Sequence, residues 1–178
     1  MAEKKSRSDY QGIIQMAYTV ANIHEAIGRW VKDLKVGPFF LLDHFQGVDP
    51  VYRGAPSKAD VAIAMGYCGD MQIELIQPND HHPSVYREAI EARGYGFHHF
   101  GMASHAFDAD VRAKQAEGFT LAFKAGVPTG GSVGYMQGIG LPGFLEFIEV
   151  TEGMCETFGR FHRASVGWDG RDPVRSFL

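Results

Sequence analysis

Two stretches of the chain share one pattern. Gln15-Met16-Ala17-Tyr18-Thr19-Val20-Ala21-Asn22-Ile23 and His99-Phe100-Gly101-Met102-Ala103-Ser104-His105-Ala106-Phe107 lie 84 residues apart, counted from 15 to 99. Each is a short apolar strand with a small residue two places after its polar leader. Each runs without a gap into a helical pattern, with apolar residues at Ile23 and Phe107 and again at Ile27 and Val111. A second pair, Gln72-Ile73-Glu74-Leu75-Ile76 and Phe144-Leu145-Glu146-Phe147-Ile148, closes the two halves, and each member sets one carboxylate inside a hydrophobic strand. This is an internal duplication, and it requires a fold built from two copies of one supersecondary unit.

Taken in order, residues 1–10 are polar and read as a flexible N-terminus. Ile13 to Val20 reads as a strand. Asn22 with Glu25 three places later reads as an N-cap, followed by Ile23, Ala26, Ile27, Trp30, Val31 and Leu34 at helical spacing. Phe39 to Phe45 is strand-like, Val48 to Lys58 reads as a loop, and Ala59 to Tyr67 with Met71 to Gln77 reads as a hairpin around Cys68-Gly69-Asp70. Pro83 to Arg93 reads as a short linker helix stopped by Gly94. The order then repeats, with a strand over Tyr95 to Ala103, a helix over Asp108 to Glu117, and strands over Phe119 to Lys124, Gly134 to Ile139 and Phe144 to Val150. Ala125 to Ser132 is glycine-rich, but it lacks the Lys-Ser/Thr ending and following helix of a phosphate cradle, and reads as a mobile loop. The expected organisation is a domain over 11–150, with module one at 11–78, the linker helix at 83–93 and module two at 95–150. A C-terminal extension over 151–178 follows, in which Met154, Phe158 and Phe161 suggest a helix and Trp168 and Pro173 an irregular tail.

Strand parity decides which side chains share a cavity. Gln15, Ala17 and Thr19 share one face, opposite Ile14, Met16, Tyr18 and Val20, which a helix would cover. By the same alternation Gln72, Glu74 and Ile76 share a face, as do Phe144, Glu146 and Ile148. Alternation also sends the imidazoles of His98 and His99 to opposite faces, so only one serves a given site. A carboxylate among aliphatic residues is costly unless it is paired, hydrogen-bonded or on a metal. Two such strands, one imidazole and one carboxamide make a metal the most economical explanation.

At 178 residues, 45% apolar and 21% charged, the chain can build one good core or two small fused modules. A net charge of −4 gives no electrostatic footprint for nucleic acid. No apolar run approaches a membrane helix, and no hydrophobic N-terminal segment marks a signal peptide. Two cysteines, Cys68 and Cys155, do not make a disulfide framework, so free thiols in a reducing compartment, the cytoplasm, are expected.

The stretches Gln15-Met16-Ala17-Tyr18-Thr19-Val20, Ile73-Glu74-Leu75-Ile76-Gln77-Pro78, Gly96-Phe97-His98-His99-Phe100-Gly101 and Leu145-Glu146-Phe147-Ile148-Glu149 resemble the vicinal oxygen chelate superfamily, the glyoxalase/bleomycin-resistance/extradiol-dioxygenase group, over roughly residues 12–150. The resemblance implies an α+β fold of two fused βαβββ modules whose sheets curl into a cup-shaped, partly open barrel around one divalent metal ion (Zn, Co, Ni, Mn or Mg). It implies Gln15, Glu74, His99 and Glu146 as ligands, with His98 behind His99, and Glu146 as catalytic base. The His98-His99 pair and the helix from Pro83 look most like methylmalonyl-CoA epimerases, whereas the ligand types look like glyoxalase I. Gln15 departs from the histidine that epimerases commonly carry, and the strand Val61-Ala62-Ile63-Ala64-Met65 lacks the second acidic base of the bacterial epimerases. A homodimer is expected by family analogy.

The chemistry so implied is that of an isomerase, epimerase or lyase that removes an α-proton from a carbonyl compound or thioester held on the metal. Ala17, Ala62 and Ala64 would leave room for a small-molecule substrate, with Phe144 and Ile148 as apolar walls and Tyr135 in reach. Against this, Gln15 could simply bond sheet edges, and an inverted parity would turn Glu74 and Glu146 outward and leave Glu149 in their place. A small-molecule binding or resistance protein of the same fold is the alternative. A ring-cleaving dioxygenase ranks third, since Fe(II) there needs two histidines and a carboxylate.

Overall fold

The computed structural model describes residues 6–178; the first five, part of the expected flexible N-terminus, lie outside them. The remainder of that segment is not loose. A 3-10 turn at Arg7–Asp9 leads to Tyr10, which is 3% exposed.

Module one comprises β1 (Ile13–Thr19), α1 (Ile23–Leu34), β2 (Phe39–Phe45), β3 (Val48–Tyr52), β4 (Ala55–Pro56), β5 (Val61–Cys68) and β6 (Met71–Pro78). After α2 (Val85–Arg93), module two comprises β7 (Gly96–Ser104), α3 (Phe107–Ala116), β8 (Thr120–Gly126), β9 (Ser132–Gln137) and β10 (Phe144–Glu149), followed by α4 (Glu152–Ser165) and β11 (Val174–Ser176). α1, α2 and α4 start where a side chain can satisfy a free N–H group, whereas α3 starts after Ala106 without such a cap. The Asn22 side chain accepts from the Glu25 N–H at 3.0 Å, and the Ser84 hydroxyl accepts from the Arg87 N–H at 3.2 Å.

All strands form one open sheet in the order β11-β2-β5-β6-β1-β7-β10-β9-β8-β3-β4. Its centre displays the duplication, since β1 runs parallel to β6, β7 runs parallel to β10, and β1 and β7 meet antiparallel. Met16, Tyr18 and Val20 pack beneath α1 with Ile23, Ile27 and Leu75, while Phe107 and Val111 of α3 cover Met136 and Phe147. The outer faces are thus sealed by helices, and the inner faces of both halves share the largest core cluster.

Two elements depart from expectation. The predicted loop over Val48 to Lys58 contains β3 and β4, because β3 finds a partner in β8 of the other module, a long-range pairing that local pattern does not encode. The irregular tail contains β11, which pairs parallel with β2. Only Gln46 and Gly47 separate β2 from β3, yet eight strand steps separate them in the sheet. Laid flat, those steps would span about 40 Å, whereas the link reaches on the order of 10 Å. The sheet therefore has to curl into a cup. Gly47 makes the closure, with φ at +82° and a position where a Cβ would lie 2.6 Å from that of Ala125.

Cys68 is exposed, Cys155 is buried, and both are free. Among the described residues no helix is long and apolar enough to cross a membrane.

At Gly101 an added Cβ would meet the Gln15 Cβ and Oε1 at 2.8 Å and the Ile148 Cδ1 at 2.9 Å. Gly101→Ala is expected to cost about 1–3 kcal/mol by overpacking. Thermal or urea denaturation checks this; a variant as stable as the parent would mean that Gln15 is not held where it stands.

Candidate metal centre

Register across the four central strands builds two adjacent rows. Glu74, Ala17, His99 and Phe144 stand opposite one another in the first, and Gln72, Gln15, Gly101, Glu146 and Tyr135 in the second. Ala17 and Gly101 contribute almost no bulk, so the long polar side chains on either side meet over them. The structure brings Gln15, Glu74, His99 and Glu146 together, each 5% exposed or less. His99 Nε2 lies 3.0 Å from Gln15 Oε1, 3.0 Å from Glu146 Oε2 and 3.5 Å from Glu74 Oε2.

The protons on this cluster can be traced. The carbonyl of Val85 can only accept, so His98 Nε2, 3.2 Å away, carries a hydrogen. Burial holds His98 well below the ordinary imidazole range, which makes it neutral, and its Nδ1 is then an acceptor. His99 Nδ1, at 2.8 Å, must donate to it, leaving the His99 Nε2 lone pair aimed at the three oxygens. Gln15 presents its carboxamide oxygen there because its amino group donates to Gln72 Oε1 at 2.7 Å, and Gln72 in turn donates to the Tyr67 hydroxyl at 3.3 Å. The opposite carboxamide orientation would satisfy His99 with an N–H; the structure has the oxygen facing it. Lone pairs converging in this way need a proton or a cation among them.

Burial pushes the Glu146 carboxyl up to about 8, against a lowering hydrogen bond from Tyr135. Burial and the charge of Glu146 push Glu74 well above the carboxylate range, and burial pushes His99 down to about 3. Glu74 Oε2 is buried with no hydrogen-bond partner, an arrangement that normally costs about 1–3 kcal/mol or more.

A divalent ion fits this donor set. Donors about 2.1 Å from a shared ion stand about 3.0–3.4 Å apart at octahedral or tetrahedral angles, close to the spacings around His99 Nε2. Two carboxylates, an imidazole and an amide oxygen form a mixed set that suits a borderline divalent ion. Among the described residues no group of three His, Cys, Asp or Glu side chains is spaced to hold an ion as it stands, so the fit rests on the donor types and on the spacings around His99 Nε2.

A cavity of about 50 Å³ adjoins the cluster. Its lining includes Gln15, Glu74, Glu146, Tyr135 and Ile148, but not Ala62, Ala64 or Phe144. For the two alanines parity was misassigned by one residue. In the β5–β6 register Ala64 stands opposite Leu75 and Met65 opposite Glu74, so Ala62 and Ala64 face α1 while Ile63 and Met65 face the cavity. Phe144 is turned to the ring of His98, at 5.2 Å between centroids. His98 also departs from the expected opposite-face placement. Its ring lies against Tyr86 and Tyr135 and bonds His99 directly. Arg53, a possible anion contact, is engaged by Glu88 and Gln137.

Residues 14–135 match the model of the Glyoxalase/Bleomycin resistance protein/Dioxygenase superfamily. The chain belongs to that superfamily. No curated protein sequence matches it significantly. Among solved structures it is similar to a hypothetical protein from Bacillus halodurans C-125, with 20% identity, TM-score 0.57, and coverage of 79% of this chain and 94% of that one. It is also similar to the methylmalonyl-CoA epimerase of Mycobacterium tuberculosis, with 18% identity, TM-score 0.57, and coverage of 80% and 90%. A Streptomyces coelicolor methylmalonyl-CoA epimerase variant in complex with 2-nitronate-propionyl-CoA matches at 13% identity, TM-score 0.58, and coverage of 80% and 96%. At these identities the likeness is one of fold.

Sequence reasoning missed Gln72, which orients Gln15, although its shared parity with Glu74 was legible. It also missed Val127, Pro128 and Thr129 of the glycine-rich loop, together with Phe158 and Phe177, all of which line the cavity. The loop is not free, since the Val127 N–H donates to the Gly131 carbonyl and the Thr151 hydroxyl to that of Thr129.

The titrations have a consequence for stability. Between about pH 6.5 and 8, folded chelator-treated protein keeps a proton on Glu146 that the unfolded chain has released, so stability falls as pH rises through that window. Below pH 6.5 the unfolded chain protonates His99 while the folded one does not until about 3, so that group lowers stability as pH falls. Melting temperatures after chelation should therefore decline from pH 6.5 to 8. Glu146→Gln should flatten the decline, and a flat parent profile would show that the carboxylates are not held protonated.

Proposed function

We propose that the protein is a divalent-metal-dependent isomerase or lyase that removes a proton α to a carbonyl group, with Gln15, Glu74, His99 and Glu146 as metal ligands and Glu146 as base. The observation that carries this reading is the convergence of three acceptor oxygens on the His99 Nε2 lone pair, beside a buried Glu74 oxygen that no hydrogen bond satisfies. A divalent ion bound there supplies Lewis acidity at a carbonyl oxygen and so acidifies the neighbouring C–H.

The rest falls to the chain's own groups. Glu146 sits at the cavity wall, and the charge of a bound divalent ion would hold it as the carboxylate that takes the carbon-bound proton. As the C–H bond breaks, its proton passes to the Glu146 carboxylate and its electron pair to the carbonyl oxygen. The proton then returns to carbon, or a β-substituent leaves with the pair. Tyr135 donates to Glu146 and steadies its charged form. Ile63, Met65 and Ile148 exclude water, and no acid from β5 faces the cavity, which favours one-base chemistry over epimerisation between two faces.

Elemental analysis of protein purified without chelators is expected to give one divalent ion per chain. Failure to bind Zn, Co, Ni or Mn at micromolar levels would refute the reading. Glu74→Ala and His99→Ala should each lose most of the metal, whereas Gln15→His should keep it, imidazole being the stronger donor. Glu146→Gln is expected to lower turnover by about 10²-fold or more while retaining part of the metal, because an amide oxygen still ligates but cannot take a proton. Deuterium uptake at the substrate α-carbon, followed by NMR, separates this role from a purely structural one.

A further inference from the structure

The C-terminal extension lies outside both the duplication and the family match, which ends at residue 135, yet it walls the cavity. Phe158 of α4 and Phe177, next to β11, stand in the lining with Val127, Pro128 and Thr129 of the β8–β9 loop. Contacts to β2 and to the β8–β9 loop hold the extension there, and one inside the extension braces it. The Phe39 N–H donates to the Pro173 carbonyl at 2.8 Å and the Phe177 N–H to the Leu41 carbonyl at 3.1 Å, stitching the tail to the edge strand β2. Phe161 stacks on Phe40 with centroids 4.0 Å apart, and the Arg160 guanidinium donates to the Phe177 carbonyl. At the start of α4 the Thr151 hydroxyl lies 3.2 Å from the Thr129 carbonyl and 3.3 Å from that of Gly130, tying helix to loop. Gly153 packs so closely that a Cβ there would lie 2.2 Å from the Thr129 oxygen.

We propose that residues 151–178 are a built-in cap on the cup, which confines the site to small, uncharged carbonyl compounds and excludes acyl-CoA thioesters and carboxylate anions. The substrate class rests on the reaction proposed above; the cap itself rests on the wall. A cavity of about 50 Å³ has room for only a few water-sized groups, each needing roughly 10–15 Å³. Among the described residues no Lys, Arg or His lines it, and its carboxylates, Glu74 and Glu146, already match the charge of a divalent ion. A substrate carboxylate or phosphate therefore meets no net positive charge. Arg160 of the cap is engaged by the Phe177 carbonyl.

The test compares acetoin, pyruvate and propionyl-CoA as probes, with binding read by saturation-transfer NMR and turnover by α-deuteration in deuterated water. The parent is expected to bind acetoin and to bind the other two at least about tenfold more weakly, while Phe158→Ala/Phe177→Ala should narrow the ratio for propionyl-CoA by about fivefold and leave that for pyruvate, which the carboxylates set, unchanged. Phe158→Leu/Phe177→Leu carries the same comparison if the alanine pair does not fold. A parent that binds propionyl-CoA as well as acetoin overturns the cap, as does an unchanged propionyl-CoA ratio in a folded variant, and a parent that binds pyruvate as well as acetoin overturns the restriction to uncharged compounds. Selective binding of acetoin without any deuteration supports the cap and counts against the proposed reaction. Deuteration of propionyl-CoA in preference to acetoin supports the reaction and overturns the cap.

Discussion

Two carboxylates buried against one neutral imidazole are the constraint on which the rest of the structure turns. Left ionised without a counter-charge, Glu74 and Glu146 would repel each other in a largely buried region, at a cost of several kcal/mol per ion. The fold spends its most rigid part on holding them together all the same. They come from β6 and β10, which flank the central pair β1 and β7, and each side chain is locked by register rather than by a loop. Protons alone can relieve the repulsion, and burial drives both carboxyls in that direction. A proton on Glu146 can serve the His99 lone pair, but it leaves the Gln15 oxygen, oriented by its bond to Gln72, facing that nitrogen with no hydrogen between them. A cation relieves all of these at once, and this is the physical case for the proposed metal.

His98 shows how far the arrangement reaches. Its Nε2 hydrogen is fixed by a carbonyl on α2, the helix between the modules, and that choice passes through Nδ1 to set the tautomer of His99. The linker helix thus helps decide whether the centre has a donor nitrogen. This is the role commonly filled by a carboxylate or carbonyl placed directly behind a ligating histidine; here a second imidazole is interposed. Tyr86, Tyr135 and Phe144 pack around the His98 ring and leave it no other orientation to adopt.

Much of this was legible from residues alone, for a definite reason. The duplication put Gln15 and His99, and Glu74 and Glu146, at corresponding places, and a period of two then set each on the inner face. Ala62 and Ala64 failed the same test because parity within β5 has no meaning until its register with β6 is known. Met65 opposite Glu74 is a fact of pairing, not of composition. The separation expected of His98 and His99 failed at the side-chain level, since the backbone alternates but the His98 ring bonds its neighbour. β3 and β11 were invisible for a third reason. Both are short strands at the ends of the sheet, and the partners that tie them to it, β8 and β2, lie far away in sequence, so the local pattern alone does not mark them.

The two halves of the duplication and the segments added to them divide the labour of the cup. The duplicated strands supply every one of the four candidate ligands, and because they pair with one another in the middle of the sheet their geometry resists change at the edges. The β3–β4 hairpin and the extension from α4 to β11 occupy the two ends of the sheet, where a strand can be gained without disturbing central register. Those ends also bound the opening of the cup. A sheet of this kind can therefore alter which molecules reach its centre by changing what covers its rim while the centre keeps its donors. In this chain two phenylalanines of the C-terminal extension, Phe158 and Phe177, line the same cavity as the two carboxylates.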